Sequence, residues 1–312
     1  MVLVDLQAVQ ADRLTALDPL LPPVLADPTG ADIEVLTAAL PGGEVRGLLK
    51  HTVLQPGSPM TTWSMLARWD LFPLLGTDPG AGMDALLRAW RRRMDAVDPR
   101  PGDDSACVVV WPSRDTLGSQ PLLRHGFQPL VVLAVRTVTD DPAGPPPPAG
   151  LTVRRATIAD LDAAVHVAQA EMAYAVTVGN TIIRPDAPDI QRTSLGRQIG
   201  RGDPVMLAEQ DGAPVGLAVG SVIESDPAVV RSPVPAGRWG YIGLVSVLPG
   251  ARSGGVGRAL MAAAHRELDR LGVTGTHLYY GPANPLSSVF WPRQGYRPLW
   301  TTWETRPAWA LR

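Results

Sequence analysis

Arg252-Ser-Gly-Gly-Val-Gly-Arg258 lies between a strand-like run, Tyr241 to Leu248, and an amphipathic helix predicted from Val256 to Leu271. Glycines 254, 255 and 257 let the backbone come close to a ligand. The N–H groups of the helix's first turn, with the positive end of its dipole, face whatever lies there. An anion is the expected guest. Along the helix, Val256, Leu260, Ala264, Leu268 and Leu271 share one face at helical spacing and Gly272 supplies a stop, so the helix should pack on a sheet with its N-terminus free; His265 is assigned to the exposed face.

Two common phosphate-binding turns do not fit. A dinucleotide turn needs a small residue three positions after Gly257, where Leu260 stands, and a nucleotide-triphosphatase loop needs Gly-Lys, whereas the chain's single lysine is Lys50. What remains, Arg-x-x-Gly-x-Gly after a strand ending Val247-Leu-Pro249, resembles the pyrophosphate turn of the GNAT acyltransferase superfamily. The resemblance implies acyl-coenzyme A as donor, acetyl-CoA by default. It places Val245, Ser246 and Val247 along the donor's pantetheine, Arg252, Ser253, Gly254, Gly255, Val256, Gly257 and Arg258 on its phosphates, and Asn284 and Ser287 nearby.

The flanking elements follow the same family order. Leu151 to Arg155 reads as a strand, Asp160 to Tyr174 as a helix, and Val205–Glu209 with Pro214–Glu224 as a hairpin turning at Asp211-Gly212. Thr276 to Tyr280 reads as a further strand, followed by a short helix capped by Asn284 with Pro285 in its first turn and ending at Gly295. Thr177 to Gly202 is read as acceptor loops.

One departure touches mechanism. The family commonly places a tyrosine seven residues after the Asn to protonate the leaving thiolate, and here that residue is Trp291, whose indole is no acid and reads as a core aromatic. Tyr279, Tyr280, Tyr296, Ser287 and Ser288 are the alternatives by sequence proximity, beside water or unassisted departure. Family members often carry a Glu on or near the fourth strand as base. Tyr241–Leu248 holds no acid, which leaves Glu224 and Asp226 as the nearest carboxylates.

The N-terminal half repeats the pattern in shortened form. Setting Trp111 against Tyr280 aligns Asp115 with Asn284, Gly126 with Gly295 and Phe127 with Tyr296. Glu34–Leu40 and Arg46–Gln55 then form a hairpin, Thr61–Ala67 plays the fourth strand and Met83–Ala96 the following helix. The turn Gly76–Gly82 lacks the leading arginine and carries Asp78, so coenzyme binding there is not expected. Thr139–Gly150, rich in Pro and Gly, reads as an extended connector. The predicted fold class is α+β: two tandem GNAT-like units, each a central, mostly antiparallel mixed sheet flanked by helices, with residues 1–138 a degenerate partner and 151–312 the working unit. This layout resembles mycothiol synthase and other two-unit GNAT acyltransferases.

Composition narrows the partners. At 312 residues with 45% hydrophobic content, two cores are affordable, and a formal net charge of -2 without a basic block argues against nucleic acid or an acidic membrane surface. No apolar run approaches a membrane span and no basic leader opens the chain, which with a single cysteine, Cys107, in an apolar strand suggests the cytoplasm. The five histidines form no i, i+4 pair and no Gly-x-Ser-x-Gly elbow occurs, so neither a metal nor a serine nucleophile is expected. The predicted activity is acyl transfer to the amine of a small molecule by a monomer or homodimer, the alternative being a non-catalytic acyl-CoA-binding or sensing protein.

Overall fold

Alternating apolar strands and two strongly amphipathic helices build a single sheet of 11 strands covered on both faces. The computed structural model describes residues 5–23, 27–28, 30–41, 43–138, 147–179, 181–182, 184–229 and 232–312. Most of the proline-rich connector, residues 139–146, lies outside the described residues.

The first half contributes α1 (Leu6–Leu17), β1 (Ile33–Leu40), β2 (Gly43–Val53), β3 (Ala67–Leu74), α2 (Pro79–Asp95), β4 (Ser105–Pro112), α3 (Thr116–Arg124) and β5 (Gln128–Thr137). The second contributes β6 (Leu151–Arg155), α4 (Leu161–Thr177), α5 (Ala187–Gly200), β7 (Val205–Gln210), β8 (Ala213–Ser225), β9 (Gly237–Val247), α6 (Val256–Arg270), β10 (Gly275–Tyr280), α7 (Pro285–Arg293) and β11 (Arg297–Thr305). Gly126 and Gly295 end α3 and α7 at φ 85° and 83°, so the aligned glycines do the same job.

The halves exchange their last strands. The sheet order is β1-β2-β3-β4-β11-β5-β10-β9-β8-β7-β6, so β11 pairs with β4 and β5 of the first half while β5 pairs with β10 of the second. Leu14 of α1, Leu133 and Val135 of β5, Trp239 of β9 and Leu299 and Trp300 of β11 form a core that belongs to both halves. One apolar core lies under α2 and another under α6, while α4 covers β7 and β8 on the opposite face to α6.

Several expectations are corrected. Thr61–Ala67 is not the fourth strand: Pro59 opens a 3-10 turn over Pro59–Thr62, and the inward alternation of Trp69 and Leu71 starts the strand at Ala67. The helix that follows begins at Pro79, because Asp78 caps it and Pro79 suits its first position. Thr177–Gly202 is not loop throughout; Ala187–Gly200 is helical and seats Leu195 against the core below α4. Leu271 is exposed past the end of α6. His265 is buried and its Nε2 lies 2.9 Å from the Tyr296 hydroxyl, with burial and Arg136 lowering its pKa to about 3.

Candidate active site

β9 and β10 run parallel from Trp239/Gly275 to Ile242/Leu278 and then part. A bulge starts the divergence: Val219 faces Leu244 and Gly220 faces Ile242, leaving Gly243 unpaired on β9. Beyond it β9 stays bonded to β8 on one edge while β10 bonds to β5, so the other edge of Leu244–Val247 faces an opening. The chain then makes a 3-10 turn at Pro249–Ala251 and enters α6 through two left-handed residues, Ser253 at φ 66° and Gly255 at φ 84°. A serine there is a strained position of the kind that clusters at binding sites. Pro148, at the end of the connector, packs against this turn, 3.1 Å from where a Cβ on Gly255 would stand.

The end of α6 is built to receive negative charge. A helix leaves its first N–H groups without intrahelical partners. In α2, α3 and α7 the side chains of Asp78, Asp115 and Asn284 accept from those groups, whereas Gly255 caps α6 with no side chain and no acid stands in its first turn. Arg258 is exposed there and makes no ion pair among the described residues, a cation at the positive end of a dipole that an anionic ligand would reconcile. Arg252 is a brace: its Nε donates to Val247 O at 3.1 Å and its guanidinium lies 5.1 Å from the ring centre of Tyr174.

Turn and opening lead into one cleft of about 1470 Å³. Val245, Ser246, Val247, the whole run Arg252–Arg258, Tyr279, Tyr280, Asn284 and Ser287 all line it. Glu224 does not: it lies at the far end of β8, largely exposed and 3.4 Å from Arg238. Asp226 is likewise outside the lining. Tyr296 is also removed from the chemistry, since its hydroxyl is buried with His265 and Thr276. Ser288 Oγ donates to Pro282 O at 2.8 Å. Trp291 lines the cleft as well and packs edge-on against Phe290 and Tyr296 in the α6 core.

One carboxylate of the cleft is a residue the sequence reading missed. Glu171 of α4 lines it, its Oε2 has no hydrogen-bond partner among the described residues, and burial raises its pKa to about 7. A clue was available: it is the only Asp, Glu, Lys or Arg between Asp162 and Arg184. Tyr241, His277 and Tyr279 project from β9 and β10, with Tyr241 stacked on His277 at 5.2 Å and edge-on to Tyr279 at 6.2 Å. Tyr279 is 46% exposed into the cleft, and desolvation by the surrounding walls, with help from Tyr241, raises its phenol pKa; desolvation likewise raises that of Tyr280, so both keep their protons near neutrality.

The equivalent place in the first half is filled by the chain itself. β3 and β4 also part, after Leu71/Val109. There α1 spans the opening: Gln10 Nε2 reaches Pro73 O on β3 at 3.5 Å, Arg13 Nε donates to Asp115 Oδ2 at 3.0 Å beyond β4, and Leu6 packs at Gly76. Asp78 meanwhile accepts from Ala81 N–H at the end of α2.

Residues 177–296 match the model of the Acetyltransferase (GNAT) family. Over that segment the chain is similar to GNAT acetyltransferases. Among solved structures, a GCN5-related N-acetyltransferase from Sphaerobacter thermophilus aligns over 97% of this chain and 91% of its own, at 17% identity and TM-score 0.59, and so shares the fold across both halves. A GCN5-related N-acetyltransferase from Kribbella flavida aligns over 99% and 97% at 18% identity with TM-score 0.43, and a tandem GNAT protein from the clavulanic acid biosynthesis pathway over 89% and 84% at 17% identity with TM-score 0.46. No curated protein matches the chain. The splayed strands and the uncapped helix both lie within the residues that match this acetyltransferase model.

Proposed function

We propose that the protein is an N-acetyltransferase that moves an acetyl group, or another acyl group, from acyl-coenzyme A to the amine of a small molecule, in the unit formed by residues 151–312. The observation that carries this reading is that an uncapped helix end, an open strand edge and an unpaired buried carboxylate converge on one cleft. In this reading residues 1–138 are a degenerate partner in a tandem layout of the kind seen in mycothiol synthase. The self-capped α2 and the covering α1 support it.

The residues present suit acyl-CoA as donor: the α6 end offers N–H groups and Arg258 for phosphates, and the free edge of β9 offers amides for the pantetheine. The donor supplies an acyl thioester. An N–H within Val245–Val247 stabilises negative charge developing on the thioester oxygen, worth on the order of 3 kcal/mol for one such donor. Glu171 takes a proton from the incoming ammonium so that the neutral amine attacks, and its raised pKa suits that task near neutral pH. Tyr279 or Tyr280, held as a phenol, gives a proton to the departing thiolate.

Amine-dependent release of coenzyme A thiol from acetyl-CoA, beside calorimetric titration with the same donor, tests the proposal. Tight binding with no amine raising thiol release above hydrolysis would favour a non-catalytic acyl-CoA sensor. No binding of any acyl-CoA would remove the site.

A further inference from the structure

Resting on that reading, we infer that the acceptor is a primary amine carried on an apolar body of aromatic size, without a carboxylate or phosphate of its own. Beyond the donor turn, the cleft is completed by the first half of the chain. Met60, Trp63 and Val110 are 52%, 45% and 41% exposed, and all three open into this cleft. Leu130 and Val131 on β5 continue that surface. Apolar side chains gathered in a concave site and left uncovered mark a place where an apolar ligand is bound. The strand exchange sets β5 and β11 between β4 and β10, so this surface runs directly into Tyr279 and Tyr241, with Tyr174 on the α4 wall. Their rings offer faces and edges to a flat group or to an ammonium.

Charge selects the head group. The acceptor end holds two carboxylates: Glu171, whose Oε2 has no hydrogen-bond partner among the described residues, and Glu304, which is ion-paired to Arg306 at 3.2 Å and which burial pushes toward the neutral acid. Among the described residues the one cation lining this end, Arg68, is ion-paired to Asp70 and donates to Ser64 Oγ at 3.2 Å. The remaining cations of the lining, Arg252, Arg258 and Arg293, stand on the donor turn and on α7. A cationic amine is therefore matched by Glu171, and an acceptor carboxylate would face that acid with no unpaired cation at this end among the described residues to offset it.

The test compares 2-phenylethylamine, phenylalanine and ethylamine by calorimetry on the full chain saturated with coenzyme A, and by transfer from acetyl-CoA. Phenylethylamine should bind at least tenfold more tightly than phenylalanine, which adds only the carboxylate, and than ethylamine, which lacks the apolar body. Trp63→Ala should raise the phenylethylamine Kd about tenfold and leave acetyl-CoA affinity unchanged. Equal or tighter binding of phenylalanine or ethylamine, no binding of phenylethylamine, or indifference to Trp63→Ala would overturn the inference. Preferential transfer to phenylalanine would overturn it while leaving acyl transfer intact. Tight phenylethylamine binding without transfer would uphold the acceptor class and refute the catalytic proposal.

Discussion

Asp78 and Gly255 occupy the same position in the two repeated halves, each the cap of the helix that follows a splayed strand, and they leave opposite helix ends. Asp78 turns its carboxylate onto Ala81 N–H and so fills its own anion site, with α1 lying across the opening beside it. Gly255 leaves its helix end open. Titration with acetyl-CoA should accordingly give one site per chain, and two sites would show that α1 and Asp78 can be displaced.

Gly254→Glu separates binding from folding. A Cβ at this glycine meets only Ala251 O, at 3.5 Å, and its φ is not left-handed, so the backbone tolerates a side chain. The new carboxylate would stand where the donor's phosphates are expected, beside a helix end that has no competing acid. Acetyl-CoA affinity should fall by at least tenfold with the melting temperature of the free protein unchanged. Retained affinity would place the phosphates elsewhere.

What the sequence revealed and what it hid follow from the range of the forces involved. The donor turn was readable because its requirements are local: glycines at fixed positions, a strand before and an amphipathic helix after. Asn284 and Gly295 were readable for the same reason, as a cap and a left-handed stop. Glu171 was hidden, because α4 shows little helical amphipathicity to say which way a lone acid faces, and only the folded sheet and the Tyr174 wall close around it. Helix α5 was hidden by Pro188, Gly196 and Gly200 within it, and by having only Ala187 and Leu195 buried. The strand exchange was hidden because it is fixed by contacts between segments far apart in sequence: β5 and β11 pack with Leu14, Val234 and Trp239, and Arg297 pairs with Asp18.

Glu171→Gln should remove the alkaline dependence of transfer. For the native chain, kcat/KM for a reactive amine should rise as pH passes through about 7, where Glu171 becomes the carboxylate that accepts a proton. The glutamine cannot ionise, so that limb should vanish and the rate fall on the order of 100-fold or more. Stability should move the other way. The buried acid holds its proton in the folded state to about 7 and releases it near 4.5 when unfolded, so native stability declines as pH rises between those values. The variant should thus be the more stable protein at pH 8, by on the order of 2 kcal/mol in urea unfolding. A rate that falls without any change in the pH profile would assign Glu171 to positioning the amine.

Asp18 and Arg297 bind the two ends of the chain across the exchanged strand. Asp18 follows α1 and is buried; Arg297 opens β11, and its Nη2 donates to Asp18 Oδ1 at 2.9 Å while Nη1 contacts Oδ2. Burial acts to raise the Asp18 pKa, but the Arg297 hydrogen bonds, Leu20 N–H and Arg114 outweigh it and hold the carboxyl below its ordinary 3.8. The lowered pKa means that the ion pair stabilises the fold above pH 4 and that this contribution is lost as pH falls through the folded value. Asp18→Asn keeps the side chain's shape and should cost about 2 to 3 kcal/mol at pH 7 by leaving Arg297 without its counter-charge. Urea unfolding of both proteins from pH 7 down to below pH 3.8 reads the effect: the gap should narrow as pH falls below 3.8, because the unfolded carboxyl then takes up a proton that the native one resists. A gap independent of pH would mean that Asp18 acts through its Leu20 hydrogen bond and packing, and that β11 is held in the first half by its pairing with β4 and β5 alone.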